Sequence, residues 1–446
     1  MRRTINLKKG LNLNLVGGLG SDAPVAIPLP ARVAVVPDDF PGFLPKLDVA
    51  EGDRVECGSP LLRDKNDGRI KLVAPMGGTV EAVVRGARRK IERVVVKVDP
   101  SAGTAGMTPF DTADAATVTE ALMASGLWAM MRRRPYDIVP LPDDKPRSVM
   151  VTAMDTAPLA PSLEKMVADR RTDVEAGIRV ISKLSAGPIY IGIEQGSSLP
   201  DFSGAEMVEF PRLHPAGNPG VQMANIDPVN KGEVVWTLDI VTLARIGHLA
   251  MTGQADWSVD VAVTGSEVNA PRIEKTVAGA ALETVLEGEL KAGAEHLRVI
   301  SGNVLTGVPV GKDGFLRFPY RQVTVIPEGD NADEFMGWAS MSPSKMSVSP
   351  SFIGRFLNRK FKPDARINGG RRAMIMSGEY DKVFPMDILP EYLVKAILAK
   401  DIDRMEALGI YEVAPEDFAL AEYVDPSKLE LQKIVREGLD YLRSEV

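Results

Sequence analysis

The 446-residue chain has a single cysteine, Cys57. No internal disulfide can form, which fits a reducing compartment, and four cysteines of this chain cannot hold an iron–sulfur cluster. Histidine is nearly as scarce. His214, His248 and His296 are scattered and none neighbours the cysteine, so a zinc site built from His and Cys is excluded by counting. Long apolar runs are missing too. The longest stretch free of Asp, Glu, Lys and Arg is Leu213–Ile226, which contains Pro215, Gly217, Pro219 and Gly220; a membrane span needs about 20 mainly apolar residues. The start, "MRRTINLKKG", is basic but leads to no apolar core, so no signal peptide is expected. Phosphate cradles are also absent. In "GVPVGKD", Gly311-Lys312 lies too close to Gly307 and Asp313 replaces Ser/Thr. There is no G-x-G-x-x-G fingerprint.

What remains is an ordinary globular composition, 45% hydrophobic and 25% charged, long enough for two to four domains. The net charge of -7 is uneven: residues 1–100 carry 17 Lys and Arg against 12 Asp and Glu, and the acidic excess lies beyond them. The sharpest basic cluster is "RGARRK", with Arg85, Arg88, Arg89 and Lys90. It reads first as a solvated hairpin turn, with a partner-docking patch as the alternative. No aromatic residues interleave it, so nucleic-acid binding is not expected.

Residues 1–100 predict an all-β domain of short valine-rich strands. In "RVVVKVD", Val94, Val96 and Val98 share one face, the period of a half-buried strand. The order "VAEGDRVECGSPLL", then "VAPMGGTVEAV", resembles biotinyl/lipoyl carrier domains, which are small β-sandwiches. A carrier needs a lysine flanked as in E-A-M-K-M; "LLRDKNDGRIKLVAP" offers Lys65 without those flanks, so the fold is expected without the swinging arm.

Residues 101–254 alternate helix ("TEALMASGLWAMM") with buried strands ("SVMVTAMD", "IYIGI"), predicting a Rossmann-like α/β layer. Residues 255–330 return to short strands and suggest a small β-grasp domain. Residues 331–446 read as a connecting segment and a helical end. Pro390 opens one helix, Gly409 closes another, and Asp425-Pro426 is expected to start the last.

The chemistry-bearing candidates are few. His214, in "RLHPAGNPGVQMANIDP", has no carboxylate or nucleophile identifiable beside it, so a polar loop role is favoured over general acid–base work. Pro215 and Pro219 would stiffen that loop, and Gly217 and Gly220 would turn it or admit another surface. Asp38–Asp39 and Asp143–Asp144 follow prolines and read as turn residues; Cys57 reads as inert.

Taken together, "INLKKGLNLNLVG", "VAEGDRVECGSPLLRDK", "LWAMMRRRPYDIVP", "VTAMDTAPLAP", "HPAGNPGVQMANIDPV", "PRIEKTVAGAAL", "RVISGNVLTG", "QVTVIPEG" and "FMGW" form a collinear set along essentially the whole chain. The set resembles the A subunit of the bacterial sodium-translocating NADH:quinone oxidoreductase. The resemblance implies a peripheral subunit on the cytoplasmic face of the inner membrane, with five partner subunits, some of them integral. That complex passes electrons from NADH to ubiquinone and exports Na⁺, and its flavins and iron–sulfur centres would sit on other subunits, leaving this chain without a cofactor. It also implies the domain order of the complex I flavin subunit, with an SLBB-like β-grasp domain, and a contact with quinone or a partner at His214, Pro215, Gly217, Pro219 and Gly220. Three departures matter. "SGLWAMMRRRP" stands where complex I has a glycine-rich flavin loop; Ala421 and Asp425 stand where the family shows cysteines; and Val221-Gln222-Met223 replaces a histidine-bearing continuation. A stand-alone NADH dehydrogenase-like flavoprotein, a homologue of the Rnf complex C subunit, and a biotin or lipoyl carrier remain as alternatives.

Overall fold

A computed structural model describes residues 2–293, 295–330, 345–349, 351–357 and 359–445. The "FMGW" motif lies outside the described residues, as does the start of the segment expected to connect to the C-terminal helices.

Residues 32–98 form two small antiparallel sheets. The first orders Arg32–Val35, Ile91–Val98, Gly78–Arg85 and Arg54–Val55; the second orders Pro45–Leu47, Pro60–Asp64 and Lys71–Val73. Val94 and Val96 enter the main core as the alternation predicts, but Val95 is buried as well, against Ala34, Ala281 and Phe315. The strand is covered on both faces because residues of the third domain pack on its outer side. The chain's first residues belong elsewhere. Arg3–Thr4 pairs with Glu206–Phe210, and Pro24–Ala26 pairs with Arg272–Val277. Each short strand satisfies the open backbone groups of a sheet edge.

The α/β sheet orders Arg3–Thr4, Glu206–Phe210, Ile189–Glu194, Ser148–Thr152, Val235–Asp239 and Arg132–Arg134, parallel except for the last strand. From Ser148–Thr152 the chain steps outward twice, then crosses back to lay Val235–Asp239 on the other side of its starting strand. Val149 and Val151 face the core under the helices Arg171–Ser182 and Ile240–Thr252, while Thr152 accepts a hydrogen bond from Gln222 of the helix Pro219–Ile226. The layers therefore lie on opposite faces, and the strand order reverses between Ser148–Thr152 and Val235–Asp239. In open α/β sheets this reversal opens a crevice at the carboxyl ends of the strands.

The third domain is a mixed sheet ordering Val308–Pro309, Leu297–Ser301, Gln322–Pro327, Ser258–Thr264, Arg272–Val277 and Pro24–Ala26. Downstream, the helix Pro390–Ala399 carries its proline at the first turn, and Gly409, with φ of 87°, follows the helix Ile402–Ala407. The final helix runs Leu431–Glu445, later than expected. Asp425 does not start it. Its carboxylate accepts the Ser427 and Leu429 amides and closes a local turn instead, the competing use of a short acidic side chain. Among the described residues no helix is long and apolar enough to cross a membrane.

Candidate functional site

A cleft of about 430 Å³ opens where the α/β strand order reverses. Its floor is the strand ends Thr152–Asp155 and Thr237–Asp239. Arg132 and Arg134 line one side and His214, Gly217 and Asn218 another. Asn303, Phe318, Tyr320 and Arg321 come from the third domain, and Glu416 and Arg436 from the C-terminal part. All three folded regions and the helical end converge on one site.

The floor is acidic and already paired. Asp239 caps the helix Ile240–Thr252 by accepting from the Thr242 amide at 2.8 Å and its hydroxyl at 3.0 Å. Arg321 grips the same carboxylate with two prongs, at 3.0 and 3.1 Å. Burial opposes ionisation of Asp239, but Arg321, the Thr242 amide and Arg245 hold its carboxyl below the usual range. A helix N-terminus favours an anion; here the chain's own carboxylate caps it. Nearby, Asp155 accepts the Ala157 amide, and burial pushes its carboxyl up.

His214 is 3% exposed, so the expected loop is a buried wall. Its amide donates to Asn12 Oδ1 at 2.8 Å and its carbonyl accepts the Leu11 amide, so the N-terminal strap covers it. Thr156 Oγ1 accepts the Gly217 amide at 2.9 Å and lies 3.2 Å from His214 Nδ1. The direction of that contact depends on the imidazole tautomer, and Nε2 is buried with no hydrogen-bond partner among the described residues. Burial holds the ring neutral, with its pKa down to about 4. Pro215 sits in a cis peptide with His214. From Pro219 the chain is helical, because Pro at the first helical position starts a helix and does not break one. Gly217 lies in the turn that the Asn218 amide closes on the Pro215 carbonyl, and Gly220 lies in the helix; neither has a positive φ. A Cβ at Gly217 would lie 2.7 Å from the Thr156 amide nitrogen, and one at Gly220 would lie 2.3 Å from Asp417 Oδ2. Both glycines permit close approach.

Several cleft residues carry no recognisable local signal. Asp38 and Asp39 both lie in the 3₁₀ turn Pro37–Asp39, as expected; Asp38 is exposed and paired with Lys90, while the Asp39 side chain is buried, receives Arg317 Nε at 2.7 Å and accepts the Phe318 amide. Burial pushes its carboxyl up against the pull of Arg317. Arg132 donates to the Asp39 and Ala129 carbonyls and lies 5.4 Å over the Phe318 ring. Arg134, 1% exposed, reaches Glu416 at 3.1 Å and Asp417 at 3.5 Å. The three consecutive arginines beside Trp128 were the one visible hint, since a basic run next to a buried aromatic rarely faces only solvent. Trp128 itself is buried and donates to the Pro140 carbonyl, and with Met130 it forms a short 3₁₀ turn.

The basic cluster is elsewhere. Arg85, Arg88, Arg89 and Lys90 are exposed on the hairpin joining Gly78–Arg85 to Ile91–Val98, and none of them lines the cleft. Arg85 donates to the Arg89 carbonyl, and Arg88 and Arg89 have φ of 54° and 60°. Lys65 sits in a turn, its amide bonded to the Leu44 carbonyl. Cys57 is half-buried, donates to the Pro75 carbonyl, and has its thiol pushed up by burial. Among the described residues no group of three His, Cys, Asp or Glu is placed to hold a metal.

Three family models match successive parts of the chain: NqrA N-terminal barrel-sandwich hybrid domain over residues 5–99, NqrA second alpha/beta domain over 113–255, and NQRA C-terminal domain over 260–311. The A subunit of the Na(+)-translocating NADH-quinone reductase of Rhodopirellula baltica is 37% identical, covering 98% of both chains. Its counterpart from Pasteurella multocida is 36% identical over 99% of this chain and 100% of its own. Among solved structures, the NAD+-reducing [NiFe]-hydrogenase in the H2-reduced state aligns at 13% identity and a TM-score of 0.33, over 76% of this chain and 63% of that one, too loose to transfer fold or chemistry. Full-length identity at this level, with domain models in matching order, settles the family: the chain belongs to the A subunits of the Na(+)-translocating NADH-quinone reductases.

Proposed function

We propose that this chain is the peripheral, cytoplasmic-side subunit of a Na⁺-translocating NADH:ubiquinone oxidoreductase, docked on the complex's integral subunits, and that its cleft receives a quinone headgroup. In this reading NADH, flavins and iron–sulfur centres act on other subunits, and this chain supports the transfer of electrons to ubiquinone without a cofactor of its own. The observation that carries it is Asp239. Its carboxylate occupies the helix N-terminus at the strand crossover and is clamped by Arg321. A dinucleotide or flavin phosphate arriving there would meet a fixed negative charge, and "SGLWAMM" supplies no glycine cradle to compensate. A neutral ring with carbonyl oxygens meets no such penalty. It finds the apolar faces of Phe318, Met130 and Met154 on the cleft wall.

The test is calorimetric titration of the purified full chain with a short-chain ubiquinone, FMN and NADH, alongside an NADH oxidation assay. Saturable quinone binding, with no heat from FMN or NADH, is the expected result. Binding of FMN with NADH turnover would replace this reading with that of a self-sufficient flavoprotein.

A further inference from the structure

The helix Ile240–Thr252 is apolar along most of its length, and Arg245 is its single arginine or lysine. A long cation on such a helix should reach for water, yet Arg245 is only 2% exposed. A buried guanidinium is costly unless a carboxylate or a full set of acceptors meets it. Arg245 has neither. Nη2 donates to the Ser258 carbonyl, at the start of the third domain. Nε is buried without a partner, Nη1 makes no hydrogen bond among the described residues, and no carboxylate forms an ion pair with this side chain.

The carboxylates nearby are engaged elsewhere. Asp256 takes Arg170 at 3.0 Å and the Ser258 amide and hydroxyl at 2.9 and 2.6 Å. Asp239 is held by Arg321 and caps its own helix. Asp260, half-buried on the strand Ser258–Thr264, is offset first by Lys275.

Arg245 lines a chamber of about 30 Å³ behind the Arg317–Arg321 wall of the cleft. Three arginines border that chamber, Arg245, Arg317 and Arg321, and no carboxylate does. Arg317 turns to Asp39. Arg321 gives both terminal nitrogens to Asp239, but its Nε is buried without a partner, like that of Arg245. Two guanidinium groups from different domains thus bring unspent N–H donors to one small space.

We propose that this chamber binds a single halide-sized monovalent anion, chloride, held by Arg245 and Arg321 at the seam between the α/β layer and the third domain. The site is independent of whatever the cleft receives.

Size and charge select the ligand. A water needs roughly 10–15 Å³ of such space, so the chamber has room for one halide and not for a phosphate, a sulfate or a carboxylate metabolite. Water would fill it and leave the Arg245 charge without a contacting counter-charge, whereas an anion meets that charge where the surroundings screen it least. The other walls, among them Val259, Ala278, Leu316 and Phe318, offer an anion no competing charge. Burial and the Arg321 charge bring the Arg245 guanidinium down to about 10, so it remains a cation at neutral pH. A guanidinium is also weakly hydrated, which suits it to a buried anion contact.

Thermal unfolding of the full chain at fixed sodium concentration, with gluconate replaced stepwise by chloride, tests this. Ionic strength stays constant, so screening does not change, and gluconate is too large for the chamber. The Tm of the unaltered chain is expected to be higher in chloride by roughly a few degrees, and to climb with the logarithm of its concentration once the site is filled. Arg245→Met keeps a long side chain without the charge, and its Tm should not rise with chloride. Crystals of the full chain grown in sodium bromide should show an anomalous peak between Arg245 and Arg321, a readout that holds even if Arg245→Met does not fold. Equal Tm values of the unaltered chain in the two salts overturn the proposal, as does an Arg245→Met variant that keeps the chloride gain. A chamber that holds only water in bromide overturns it as well. So does a bromide peak with no chloride gain in solution, which is binding at crystal concentration only.

Discussion

His214 shows how far a residue's type can mislead about its job. The sequence offers a histidine in a proline- and glycine-rich stretch, and the choice lies between a catalyst and a loop. The structure buries it and keeps it neutral, with Nδ1 hydrogen-bonded to Thr156 and its pKa near 4. The sign of the consequence is fixed. In the unfolded chain the ring titrates near its ordinary pKa of about 6.5, and in the folded chain well below that. As pH falls from 7 the unfolded state gains a proton that the native state refuses, so stability drops between about pH 6.5 and 4. At pH 5 the loss should be about 2 kcal/mol relative to pH 7. His214→Gln lacks this titration. In urea unfolding at both pH values, the unaltered chain should lose about 2 kcal/mol more than the variant. Equal losses would show that the ring takes up its proton in the folded chain near its ordinary pKa.

At the scale of elements, local patterns were legible where a side chain satisfies its neighbours in sequence. Pro390 opens its helix and Gly409 follows the helix Ile402–Ala407, because both act through their own backbone. Where a residue answers to a distant segment, the sequence misleads. The helix Pro219–Ile226 looked like a loop because Pro219 and Gly220 are turn formers, yet they occupy its first turn. Asn218 makes no side-chain cap, and its amide donates to the Glu416 carbonyl. Gly220 is set by Asp417, about 200 positions away, whose carboxylate lies where a Cβ would be. Two effects of Gly220→Ala oppose each other. Alanine favours the helix over glycine by about 1 kcal/mol, while forcing a methyl into a packed, charged contact costs typically 1–3 kcal/mol. Asp417 is wholly buried with Arg134 behind it, so it has little room to yield. The variant is expected to be less stable by about 1–2 kcal/mol in urea titration. A more stable variant would mean that the docking of this helix on residues 415–417 is loose.

The whole molecule builds what no single domain holds. The three-part order was legible from composition and strand spacing, and the family from a collinear set of short phrases. The cleft was not, because its walls come from Asp39, Arg132, Asp239, Arg321 and Glu416, each unremarkable in its own stretch. Topology gathers them. The strand reversal opens a crevice, and Asp239 sets a carboxylate at the helix N-terminus on its floor. Replacing the charge but keeping the cap isolates that claim. Asp239→Asn still accepts the Thr242 amide, since Asn and Asp cap helices about equally well. It leaves Arg321, 9% exposed, without its carboxylate. Breaking a buried pair from one side costs about 3–5 kcal/mol, and the variant should unfold at lower temperature. It should also acquire what the native chain lacks: a guanidinium free of its carboxylate beside a neutral helix cap. Millimolar inorganic phosphate should then raise the variant's Tm by several degrees and leave the native chain's unchanged, because a ligand that binds only the folded state stabilises it by mass action. A variant that is destabilised but indifferent to phosphate would show that the crossover is not an anion site even without the Asp239 charge.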